Sequence, residues 1–237
     1  MKPLLLPLLA AIALCSCQKP VKVVATPVPK PASPPPPVLP VVTEAEIPAP
    51  PIVAVKVEAG SNLGAVARRA YGHEKFSGFV ARVNGLAKPE DVAAGAILKT
   101  PALPTALREA GLDGRYQGAI NALSKATTDF YGVLPAYLEA RNASAVERGT
   151  FAIPEKAKDT FLKCADAIDA ANHELETAKE PHQIPRSSIG QFSQASSQLR
   201  ELATGSIDGY GYDYDLVGQR LGLGFTNAII WAQEEHR

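Results

Sequence analysis

Hydrophobic positions change their period several times along this chain, and each change marks an element. Residues 1–14 form an apolar run behind Lys2, broken by no further charge. The run is too short to span a bilayer, and Pro3, Pro7 and the prolines that follow argue against a buried helix. Residues 17–52 have no period and are mostly Pro, Val and Ala. At residues 53–57, Val53, Val55 and Val57 alternate with Ala54 and Lys56, the pattern of a strand. The next apolar residues recur at helical spacing: Leu63, Val66, Ala67 and Ala70, then Phe76, Phe79, Val80 and Val83. Ser61 or Asn62 is positioned to cap the first of these helices and Gly72 to end it. Residues 96–100 predict a second strand, closed by Pro101, so the order over 53–101 is β-α-α-β.

Beyond residue 105 the spacing alternates between four and three. Tyr116, Ile120, Leu123, Thr127, Phe130, Leu134 and Tyr137 predict a helix over 113–142, kinked at Pro135. Phe161, Cys164, Ile168 and Leu175 predict a second over 154–179, with Pro154 at its start. Ile189, Phe192, Leu199 and Leu202 predict a third over 186–203, and Val217, Leu221, Phe225, Ala228 and Ile229 a fourth over 216–235. Four helices in series imply an antiparallel bundle. The fold class expected is therefore α+β and all-α: a small βααβ domain at 53–101 and a helical bundle at 105–237, preceded by a disordered proline-rich linker.

Composition sharpens the division. The 237 residues hold 24 Lys plus Arg and 24 Asp plus Glu, so no basic excess points to nucleic acid. The zero is a cancellation: residues 1–53 carry four basic and two acidic groups, 54–101 seven and four, and 105–237 thirteen and eighteen. Of 21 prolines, 12 lie between Pro20 and Pro51, which favours an extended polyproline II spacer over a folded segment. Such a stretch could also be a ligand for proline-recognition domains.

Residues 1–16 read as a secretory signal peptide. Leu14-Cys15-Ser16-Cys17 at its end resembles the bacterial lipoprotein signal, in which an apolar and a small residue precede an acylated cysteine. The resemblance implies cleavage before Cys17, lipidation there with palmitate or similar chains, and, with Gln18 following, export to the outer membrane facing the periplasm. Only Cys164 would then remain, so no intrachain disulfide is possible in the mature chain.

Residues 53–101 resemble a LysM domain, the module that binds N-acetylglucosamine polymers such as peptidoglycan. The resemblance rests on Val55 and Val57, Gly60, Leu63, Val66-Ala67, Tyr71-Gly72, Val80, Asn84, Pro89, Asp91-Val92, Gly95, Leu98 and Pro101. Ser61-Asn62 departs from the usual Asp-Thr or Asp-Ser, Ala94 from Pro, Ala96 from Gln and Ser77 from an aromatic. The family binds glycan in a shallow groove between the loop after the first strand and the loop before the second. Carried over, the contacts are Gly60, Ser61, Asn62 and Leu63 on one side and Pro89, Glu90, Asp91 and Val92 on the other. Leu63 and Val92 are also natural core positions, and Ser61-Asn62 a natural helix cap.

The helical part offers little chemistry. Cys164 lies on an apolar stripe, as a buried thiol rather than a nucleophile would. His173, Asp166, Asp169 and Glu176 share a polar helix face that reads as solvated; no metal site, cofactor or catalytic residue is expected. Gly209-Tyr210-Gly211-Tyr212-Asp213-Tyr214-Asp215 reads as a loop folding over the bundle end, with recognition as its other reading. The expectation is a lipid-anchored envelope protein, a non-catalytic tether or scaffold between membrane and peptidoglycan. The alternatives are a cell-wall-active enzyme targeted by the LysM segment and an assembly subunit whose residues 105–237 dock another envelope protein.

Overall fold

The computed structural model describes residues 55–112, 114–144, 149–177, 184–207 and 213–235. The expected signal peptide, Cys17, the linker 17–52 and the tyrosine run through Tyr212 lie outside them. Among the described residues the chain is mostly helical, with seven α-helices and two short antiparallel ribbons. None of these helices is long and apolar enough to cross a membrane.

Strand β1 (Val55–Lys56) pairs antiparallel with β2 (Ile97–Leu98), Val55 opposite Leu98. The ribbon is shorter than the valine alternation and residues 96–100 predict. The reason is visible at Lys99, whose main-chain N–H donates to Asn84 Oδ1 at 2.7 Å instead of continuing the ladder. Asn84 also donates to the carbonyls of Val80 and Lys99, both at 2.9 Å, and so welds the helical half to the strand. Helix α1 (Leu63–Tyr71) is capped by Asn62, whose Oδ1 accepts from Ala65 N–H at 2.9 Å. It ends at Gly72, left-handed at φ 89°. The helix expected over 75–83 is split into a 3₁₀ turn (Glu74–Phe76) and α2 (Ser77–Val83). The split follows from His73, whose Nδ1 accepts Lys75 N–H at 3.0 Å and starts the tighter turn.

A helix absent from the sequence reading, α3 (Leu103–Glu109), follows at once, burying Leu103, Ala106 and Leu107. Seven residues give too few turns for a clear period. The bundle is α4 (Gln117–Ala143), α5 (Glu155–Thr177), α6 (Arg186–Leu202) and α7 (Asp213–Glu235), each packed on the next. A 3₁₀ turn (Gly114–Tyr116) replaces the expected first turn of α4, which continues through Pro135. The second ribbon, β3 (Gly149–Thr150) with β4 (Ser206–Ile207), was also not foreseen, being two residues a side. The apolar stripes of the bundle read from the sequence are buried, including Phe130, Phe161, Phe192 and Phe225, while Val83 of α2 is only half-buried.

The pattern break at 101–105 is not a break in the core, because buried side chains from Val57 to Ala232 form one cluster. Phe225 of α7 is the joint. Its ring lies 6.0 Å from Phe76, 6.5 Å from Phe79 and 5.1 Å from Phe192, centroid to centroid. The close approach needs glycine on α7. A methyl group at Gly222 would stand 2.9 Å from the main-chain carbon of Lys75, and one at Gly218 would overlap Tyr131 and His73. Thr226 and Gln233 tie the contact further, donating to the carbonyls of Lys75 and Arg82 at 3.4 and 3.1 Å.

Two helical glycines should therefore respond oppositely to alanine. Gly132 faces open space, so Gly132→Ala should raise stability by about 0.5–1 kcal/mol. Gly222→Ala meets backbone that cannot swing aside, and should lower stability by about 1–3 kcal/mol despite the better helix propensity. Urea unfolding of both variants checks the signs, and an unchanged midpoint for Gly222→Ala would contradict the tight joint.

Candidate functional site

The loop after β1 and the 3₁₀ turn Pro89–Asp91 before β2 face each other across a shallow groove of about 300 Å³. Asn62, Leu63, Pro89 and Glu90, separate in sequence, meet there. Gly64, Glu74, Lys75 and Ser77 complete the lining and were not anticipated. Gly64 lies in the first turn of α1; Glu74 and Lys75 come from the turn between α1 and α2 and Ser77 from the start of α2, which the split of the second helix brings beside the capping loop. The His-x-Lys spacing at 73–75 is the only sequence signal that could have marked this turn, since a histidine ring can accept an N–H two residues on.

The other expected contacts have structural occupations. Leu63 is 1% exposed, so its side chain belongs to the core and cannot offer a ligand its methyl groups. Val92 is half-buried against the same core. Asp91 Oδ2 accepts the main-chain N–H of Lys88 at 3.0 Å and so holds the 3₁₀ turn. Gly60 (φ 80°) and Ser61, whose N–H donates to Glu58 C=O at 3.0 Å, shape the turn leading to the groove. Gly60, Ser61, Asp91 and Val92 are not among the residues lining it.

Charge on the groove differs from charge on the segment. The lining carries Glu74 and Glu90 against Lys75, so the net positive charge of residues 54–101 is not gathered there. Arg68 lies 3.6 Å from Glu74 in an exposed ion pair. Behind the groove, His73 is 5% exposed and makes two hydrogen bonds. Because Nδ1 accepts from Lys75 N–H, the proton sits on Nε2, which donates to Asp215 Oδ1 of α7 at 3.2 Å. That bond, with the charges of Arg68 and Lys75 adding to it, holds the Asp215 carboxyl below the usual range, against an opposing effect of partial burial. Tyr131 of α4 abuts this pair. Its hydroxyl is buried with no hydrogen-bond partner among the described residues, and burial, with Asp215 adding to it, pushes its ionisation upward.

In the bundle, Cys164 Sγ lies 3.4 Å from Ala126 C=O and burial pushes the thiol up to about 12, so it carries no thiolate under ordinary conditions. Arg200 of α6 takes Asp166 and Asp169 of α5, at 2.7 and 2.9 Å, leaving His173 exposed on its own helix. Among the described residues no group of three or more His, Cys, Asp or Glu converges as a metal site. The buried polar side chains of the bundle, among the described residues, are Thr127, Arg141, Asn172, Ser188 and Ser196. Comparison of the chain with protein-family models, curated proteins and solved structures finds no match.

The Asp215–His73 bond links stability to pH. A carboxyl held low in the folded chain stabilises above the ordinary aspartate range and loses that contribution as pH falls through its folded value. Asp215→Asn keeps an acceptor but removes the charge. It should cost about 1 kcal/mol at neutral pH, with the difference vanishing in acid once Asp215 itself is protonated. Thermal melts of both chains across that range decide it, and a pH-independent difference would rule the linkage out.

Proposed function

We propose that this chain is a lipid-anchored cell-envelope protein whose residues 53–101 bind the GlcNAc-containing glycan of peptidoglycan, and that residues 105–237 serve as a non-catalytic scaffold. The anchor is the lipid on Cys17, in the outer membrane and facing the periplasm, with residues 17–52 as the spacer. Acyl chains contribute about 0.8 kcal/mol per buried CH₂, so two or more give stable attachment.

One observation supports the glycan reading above the rest. Asn62 and Leu63, after β1, share a groove with Pro89 and Glu90, before β2. These are the two loops that the LysM resemblance designates. The groove's chemistry suits an acetamido sugar. With Oδ1 of Asn62 engaged by Ala65 N–H, its amide N–H groups serve an acetamide carbonyl. Glu90, Glu74 and Ser77 offer acceptors for sugar hydroxyls and acetamide N–H. Since Leu63 is withdrawn into the core, the half-buried ring of Pro89 is the apolar surface for the acetyl methyl. A shallow groove with no aromatic wall binds weakly.

The assay uses the whole chain, because a 53–101 fragment would bare the Phe76–Phe79 face that α7 covers. The full chain should co-sediment with purified peptidoglycan. Ser77→Trp, which fills the groove, should reduce the bound fraction at least about tenfold while circular dichroism stays unchanged. Failure of the wild-type chain to sediment, or equal sedimentation of the variant, would refute the reading.

A further inference from the structure

A second cavity, of about 620 Å³, shares no lining residue with the groove. It opens where three elements end: Arg82 near the end of α2, Glu109 and Ala110 at the end of α3, and Gln233 near the end of α7. Gly85, Leu86 and Ala87 complete it. Its volume suits a small ligand.

The walls carry opposite charges. Arg82 offers a planar guanidinium, the side chain best matched to a carboxylate, and Glu109 a carboxylate. Neither is ion-paired with another described residue. Gln233 does not compete for Arg82's side chain, because its amide donates to the Arg82 main-chain carbonyl at 3.1 Å and fixes the backbone there. Gly85 turns with φ 69°, and no atom stands within 4 Å of where a Cβ would lie, so the chain leaves that wall open. Leu86 and Ala110, both half-buried, are the apolar side chains of note in the lining. A cation and an anion on one cavity, beside short apolar side chains, are the complement of a short zwitterionic peptide. They are a poor match to an uncharged sugar, which would leave both charges unanswered.

We propose that this cavity binds a short peptide with small side chains, its free carboxylate on Arg82 and its ammonium on Glu109. The site is separate from the glycan groove and stands or falls independently of it.

The test titrates trialanine into the isotope-labelled full chain and follows amide shifts by NMR. Saturable shifts at Gly85, Leu86 and Ala110 are expected, with Asn62 and Glu90 unmoved. Amidating the peptide's carboxylate or acetylating its amine should each weaken binding about tenfold, as should Arg82→Gln and Glu109→Gln. The capped peptides keep the test valid if either variant misfolds. Absent or scattered shifts, equal binding of capped and free peptide, or triacetylchitotriose shifting the same amides would each overturn the proposal. If trialanine binds as stated while triacetylchitotriose leaves the groove amides unmoved, the cavity stands and the glycan reading fails.

Discussion

Phe225 is the ring on which the two halves of the chain meet. Phe76 and Phe79 reach it from the βααβ side and Phe192 from the bundle. Ring pairs of this kind add to area burial only when the backbones come close enough to stack them. That closeness depends on Gly218 and Gly222 of α7, where a side chain would collide with Tyr131, His73 and the main chain of residues 75–76. Gly72 repeats the constraint from the other side: its left-handed φ ends α1, and Tyr131 occupies the space a Cβ would need. The joint is therefore written in glycines as much as in phenylalanines.

The polar contact beside the joint gives the groove its shape. The His73 ring uses one nitrogen to start the 3₁₀ turn that presents Glu74, Lys75 and Ser77, and the other to hold Asp215 of α7. The same imidazole thus bears on both the groove and the bundle. The bundle supports the groove from behind, which gives a physical role to a helical region that shows no converging reactive groups among its described residues.

Much of this was legible in the residues and some was not. The heptad-like spacing from Tyr116 to Ile229 carried the bundle, because each burying stripe is long enough to repeat several times. Asn62 as a cap and Gly72 as a stop followed from local backbone chemistry. The joint was invisible, since Gly218 and Gly222 read as weak helix positions until what packs against them is known. Part of the groove was missed for a related reason: Glu74, Lys75 and Ser77 owe their position to a histidine ring acting on main chain, which leaves no periodic trace. Leu63 shows the opposite error, in which an apolar residue at the right place for a contact is taken inward by the core.

The closing contact between Lys75 and Thr226 joins residues 151 positions apart. In a chain made from its N-terminus, the surface carrying Phe76 and Phe79 exists long before the helix that covers it. Residues 55–101 cannot reach their final packing until α7, about 150 positions further on, is available. Completion of that packing therefore waits on α7, and a non-local pairing of this span is slow to find. Until α7 arrives the aromatic face is exposed, so the unfinished chain is adhesive at the spot where the finished one is most firmly sealed.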